Sequence, residues 1–132
     1  MHEQDAQPWP QHVARDPRDP AWAFCLAGTP LFLNMSFPGH RQMKSRNLGR
    51  YITFVINLRE NFDLIADGNA AGGQRVREAI RERIRAYNQG VMPDTLGCYG
   101  QDDNLEWRQY QLWEPEGLRL WRCPLKLFFG GR

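Results

Sequence analysis

The sequence predicts an α+β fold, a mostly antiparallel β-sheet with one main amphipathic helix packed on a face. Three observations carry this reading. Two short apolar runs flank a Gly-containing turn at residues 28–30, the pattern of a hairpin. Residues 51–58 are β-branched, aromatic or aliphatic almost throughout. One segment, 74–87, repeats its apolar residues at helical spacing.

In chain order, residues 1–20 read as a Pro-rich arm. Pro8, Pro10, Pro17 and Pro20 each oppose helix in the residue before them. Trp9 is the aromatic anchor that docks the arm on a core. Residues 21–132 then form a single domain. Strands are predicted at 22–26 and 31–35, both apolar on successive residues and so covered on both faces. Residues 40–50 are polar and read as a loop containing a helical turn. Residues 51–58 read as the central strand, and Phe62, Leu64 and Ile65 as a short connection. In the helix at 74–87, Val76, Ile80, Ile84 and Tyr87 make one stripe, read as core. Glu78 with Arg81, and Glu82 with Arg85, are spaced to pair on its outer side. Residues 107–113 and 118–121 read as two further strands around a Glu-Pro-Glu-Gly turn, followed by an apolar tail.

Length and charge narrow the function classes. The chain has 132 residues, 42% of them hydrophobic and 24% charged, which excludes a disordered tail or a membrane protein. A domain of this size buries about two-thirds of the surface its unfolded chain exposes. The formal net charge of +2 is too small to point to nucleic acid. The polar start is not a signal peptide. Three distant cysteines without a CxxC pair argue against a zinc site or a disulfide framework, so a cytoplasmic location is expected.

Few residues stand out chemically. His40 follows Pro38-Gly39 at the end of an apolar strand, where loops carry functional groups. On its own, a histidine there is more often an ordinary surface residue. Arg41, Lys44, Arg46 and Arg50 follow without an acid among them, and Ser45 adds a neutral donor. This is either a solvated basic loop or an anion site for a phosphate, a carboxylate or nucleic acid. Arginine favours forked contact with carboxylates. The absence of interleaved aromatics argues against stacking on single-stranded nucleic acid. Five arginines on the 74–87 helix are partly neutralised by its glutamates and read as a solvated face. Asp102, Asp103 and Glu106 cluster before Trp107 and are either hydrated loop acids or a grip for a cation. No Ser/His/Asp set, phosphate loop or HExxH is present.

The order of motifs is more specific than any single residue. Gly28, Pro30 and Phe32, then Pro38-Gly39-His40 and Lys44-Ser45-Arg46, resemble the YqcI/YcgG family, which includes heme-dependent guanidine N-hydroxylases. VREAIRERI, EWRQYQL and the later Arg-Cys-Pro extend the resemblance over residues 8–125. The resemblance implies an enzyme with one heme b, a monooxygenase hydroxylating a guanidino or amino nitrogen of a small amino-acid-like substrate. It assigns His40 as iron ligand, and Arg41, Lys44, Ser45 and Arg46 as partners of the propionates. A substrate guanidinium then needs a carboxylate, for which Asp102, Asp103 and Glu106 are the candidates. Members are typically longer, and this chain resembles only their C-terminal portion. A homodimer or a second chain supplying the missing N-terminal half is therefore expected. The rival reading is a non-enzymatic module that binds an anion or nucleic acid through the 41–50 loop.

Overall fold

The computed structural model describes residues 5–101 and 103–114. The expected α+β class is observed. The sheet has three antiparallel strands in the order β1 (Phe24–Leu26), β2 (Thr29–Ser36) and β3 (Thr53–Leu58). Ala27 and Gly28 join β1 to β2 with both φ values positive, 51° and 71°, as a tight hairpin turn of primed type requires. Asp5 supports the strained alanine by accepting its backbone N–H at 2.8 Å.

Helix α1 (Arg59–Ala66) follows β3 with no loop between them. Sequence periodicity reads this stretch as a connection because its inward residues are Arg59, Phe62 and Ala66. The stripe opens on an arginine and is invisible to an apolar count. Helix α2 (Ala71–Tyr87) starts three residues before the predicted helix and packs on α1, not directly on the sheet face as expected. Its Val76–Ile80–Ile84–Tyr87 stripe is not core: Val76, Ile80 and Tyr87 are exposed, and Ile84 is half-buried. Of the two predicted pairs on its outer side, Glu82–Arg85 forms an ion pair, whereas Arg81 donates to the Leu96 carbonyl at 3.1 Å.

Two predicted strands need correction. Among the described residues β3 is the last strand in the sheet order, so 51–58 stands at an edge there and not at the centre. Residues 107–113 are not a strand at all. Trp107–Tyr110 is one turn of helix, α3, whose Trp107 and Tyr110 sit three apart and point into the core together. The strand expected at 118–121 lies outside the described residues.

The core is aromatic. Trp22, Phe32, Trp107 and Tyr110 are buried against one another, with Trp9, Phe24 and Phe62 packed around them. Tyr110 meets Phe32 edge-on at 5.7 Å, and Phe62 of α1 lies 4.9 Å from the same ring. Trp9 stacks on Trp22 at 6.5 Å and donates its indole N–H to Val13 at 2.9 Å, so the arm packs on the core. Trp107 reaches back to the Pro17 carbonyl at 3.0 Å.

Candidate functional site

Two polar clusters occupy opposite ends of β2. The first lies beyond its C-terminal end. Gly39 and the preceding Phe37-Pro38 turn the chain, and His40 donates its backbone N–H to Phe37 at 3.1 Å. Its side chain folds inward: the residue is 4% exposed, and Phe37 meets the ring edge-on at 6.0 Å. His40 Nδ1 lies 2.9 Å from the Arg46 carbonyl oxygen. A carbonyl only accepts, so Nδ1 carries the proton and Nε2 carries the lone pair. Among the described residues no hydrogen bond to Nε2 is found.

Lys44–Arg46 form a 3₁₀ turn, and each basic side chain has a different fate. Arg41 and Lys44 are exposed. Arg46 tucks under the loop and donates to the Tyr110 carbonyl at 3.2 Å. Burial alone lowers its pKa to about 10. Among the described residues it has no carboxylate partner. Ser45 donates its backbone N–H to Asn88 at 2.8 Å, while its hydroxyl oxygen is buried without a hydrogen bond.

The loop holds one anion already, and sequence reasoning missed it. The Glu114 carboxylate accepts the successive backbone N–H groups of Arg41 at 2.7 Å, Gln42 at 3.0 Å and Met43 at 3.1 Å. Desolvation pulls its pKa up, but the three amide donors and neighbouring His40 outweigh that and hold it below the ordinary range. The sequence signal for such a nest is faint, because backbone donors have no residue signature and Glu114 is 71 residues distant from Met43.

The second cluster lies near the N-terminal end of β2. Arg59 is buried, pairs with Glu106 at 2.7 Å and with Asp63 at 3.3 Å, and sits 3.6 Å over the Tyr99 ring. Tyr110 donates to the second Glu106 oxygen at 3.1 Å and accepts from Phe24 at 3.0 Å. Burial pushes Glu106 up to about 7 against the pull of Arg59 and Tyr110. A cavity of about 360 Å³ opens beside Arg59, lined also by His12, Thr29, Pro30, Glu60, Asp63 and Tyr99.

The structure therefore does not gather the expected acids into one grip. Glu106 is 2% exposed with both oxygens engaged inside, Asp103 is exposed, and Asp102 lies outside the described residues. Nor does it bring Glu106 to His40. Among the described residues no hydrogen bond joins the two; the clusters are linked through Tyr110, whose hydroxyl donates to Glu106 and whose carbonyl accepts from Arg46. Among the described residues no group of three or more His, Cys, Asp or Glu gathers to hold a metal ion. Cys25 is buried, which pushes its thiol up to about 11, away from the thiolate. No helix among the described residues is long and apolar enough to cross a membrane.

Comparison with known proteins follows the same stretch of chain. The protein named "Putative N(omega)-hydroxy-L-arginine synthase DcsA" from Streptomyces lavendulae is 45% identical over 124 residues, covering 94% of this chain and 46% of that relative. Two proteins of Bacillus subtilis (strain 168), named uncharacterized protein YcgG and uncharacterized protein YqcI, are 36% and 33% identical over 94% and 92% of this chain. They are covered over 48% and 46% of their own lengths, so the chain spans about half the length of the curated relatives it matches. No solved structure matches. The YqcI/YcgG family model matches residues 1–126, and the chain belongs to the YqcI/YcgG family.

Proposed function

We propose that this chain supplies the cofactor-holding part of an N-hydroxylating oxidoreductase acting on a guanidino or amino nitrogen of a small amino-acid-like substrate. The cofactor is heme b, and His40 is its iron ligand. One observation carries the assignment: a buried imidazole whose Nδ1–H is fixed on the Arg46 carbonyl, leaving Nε2 with its lone pair. A hydrogen bond of this kind at the other ring nitrogen sets the tautomer and ring direction of a metal-binding histidine. The name of the Streptomyces relative, with its hydroxyarginine product, supports the reaction class.

The loop fits an anionic cofactor. A half-buried guanidinium such as that of Arg46 has lost part of its hydration and has no carboxylate among the described residues to replace it. A propionate against Arg46 offsets that loss, and the unpartnered Ser45 hydroxyl offers a hydrogen bond beside it. Arg41 and Lys44 extend the positive field outward. When bound, the heme supplies the redox chemistry for oxygen transfer. The protein's own contribution is to hold the iron ligand rigid and to balance the propionate charge. The rival module, binding an external anion through the 41–50 loop, is less well supported, because the loop's three backbone donors already hold Glu114. Since Glu106 is consumed by Arg59, we assign the carboxylate that forks the substrate to the part of the family's length outside this match.

Hemin titration tests the assignment. The wild-type chain develops a histidine-ligated Soret band. His40→Ala loses that spectrum, and external imidazole restores it in the variant. An identical spectrum in wild type and His40→Ala refutes the ligand. Arg46→Met weakens hemin binding about tenfold, as loss of one charge-assisted contact requires.

A further inference from the structure

Among the described residues the sheet has one face on the core and one face without a cover. Leu31, Leu33 and Met35 of β2 stand directly opposite Leu58, Ile56 and Phe54 of β3. Directly opposed residues of an antiparallel pair share a face. These six are all apolar; Phe54, Ile56 and Leu58 are exposed, whereas Leu31, Leu33 and Met35 are half-buried and Leu33 also touches the core. Phe54 is 55% exposed and Ile56 is 60% exposed. Phe32, one residue out of step on β2, points to the other side and enters the aromatic core. An antiparallel sheet that keeps one face in water alternates apolar with polar residues. Over residues 31–36 and 53–58 these strands alternate in that way apart from Phe32 and Val55, yet among the described residues it is the apolar side that lies open.

The outer edge of β3 adds a second demand. β3 ends the strand order, so its outward backbone groups have no strand partner among the described residues. A long apolar edge is a template for another strand.

We propose that the open β2–β3 face and the outer edge of β3 seat the polypeptide corresponding to the unmatched portion of the family's length. More than half of the Streptomyces relative lies outside the match, while 94% of this chain lies inside it. The relatives thus carry a layer of the size needed to cover this face, and this chain carries the face. The occupant brings one strand to the β3 edge and an apolar layer to the six side chains. This inference rests on family membership and the sheet, not on heme, so hemin spectra and the association below fail independently.

The experiment co-expresses the 132-residue chain with a tagged polypeptide made of the part of the Streptomyces relative outside the matched 124 residues. A 1:1 complex by light scattering is expected, with β3 amides protected from hydrogen exchange in the complex and not in the chain alone. Ile56→Lys, at an exposed position, keeps the far-UV spectrum of the chain and weakens the complex at least tenfold. Glu78→Lys, on the solvated side of α2, leaves it unchanged. Failure to co-purify overturns the proposal. So does a homodimer of the chain alone that protects β3, since a second copy is then the occupant. Equal binding by Ile56→Lys and wild type places the contact elsewhere and overturns it too.

Discussion

An imidazole hydrogen-bonded through Nδ1 to a main-chain carbonyl has lost its choice of tautomer, and His40 is in that state. Its orientation then depends on whatever fixes the Arg46 carbonyl, and Glu114 does part of this by holding residues 41–43. The Glu114 carboxyl is held low in the folded chain, so its contribution is present above the unfolded carboxylate pKa of about 4.3 and is lost as pH falls through the folded value. Glu114→Ala costs about 1 kcal/mol at neutral pH, discounted for its contact with solvent, and flattens this acid-side loss in urea titrations. Glu106 has the opposite sign. Its folded pKa is raised, so stability falls as pH rises from about 4.3 toward 7, while the buried acid ionises. Arg59 limits that loss. Arg59→Met therefore costs about 3–5 kcal/mol at pH 8, where it strands a buried carboxylate, and clearly less at pH 5. Equal costs at the two pH values exclude this coupling. Of these residues, His40, Ser45 and Arg46 stand out in the sequence because they are close together. Glu114 and the Arg59–Glu106 pair do not, because their partners are distant along the chain.

Elements in this chain differ in how openly their sequences announce them. The hairpin and α2 were legible, since turn residues and a long periodic stripe are local signals. Helix α1 and the α3 turn were not, because each points polar residues inward: Arg59 in one, Gln109 in the other. The 51–58 run reads as central because every strand property it has is that of a covered strand. Its position at the edge is decided by what lies beyond it, which local pattern does not encode. Between α1 and α2 the packing is tight at one glycine. A Cβ on Gly73 would land against the Asp67 backbone, inside van der Waals contact with its carbonyl oxygen. Gly73→Ala therefore costs roughly 1–3 kcal/mol by overpacking, although alanine is the better helix former. An alanine variant as stable as wild type in urea unfolding would show that this junction yields freely.

Among the described residues a well-packed aromatic side stands against a sheet face that is left open. Trp22, Phe32, Trp107 and Tyr110 give it a core, whereas the opposite sheet face ends in exposed aliphatic side chains. Ligand binding is read out at this scale. A hundredfold excess of hemin over its dissociation constant stabilises the folded chain by about 2.7 kcal/mol, which raises Tm by several degrees. His40→Ala lacks that rise at the same hemin concentration, and calorimetry with and without hemin checks it.

The arm has a further consequence, for the order of events during synthesis. Its tethers come from far downstream: Trp107 binds Pro17 across 90 residues, Tyr110 binds Phe24 across 86, and Tyr99 binds Ala21 across 78. At translation rates of about 5–20 residues per second, Trp9, Val13 and Trp22 leave the ribosome roughly five to twenty seconds before those partners exist. During that interval Trp9, Val13 and Trp22 have one another but lack Tyr99, Trp107 and Tyr110, and holding chaperones are their natural company until the last aromatic turn emerges.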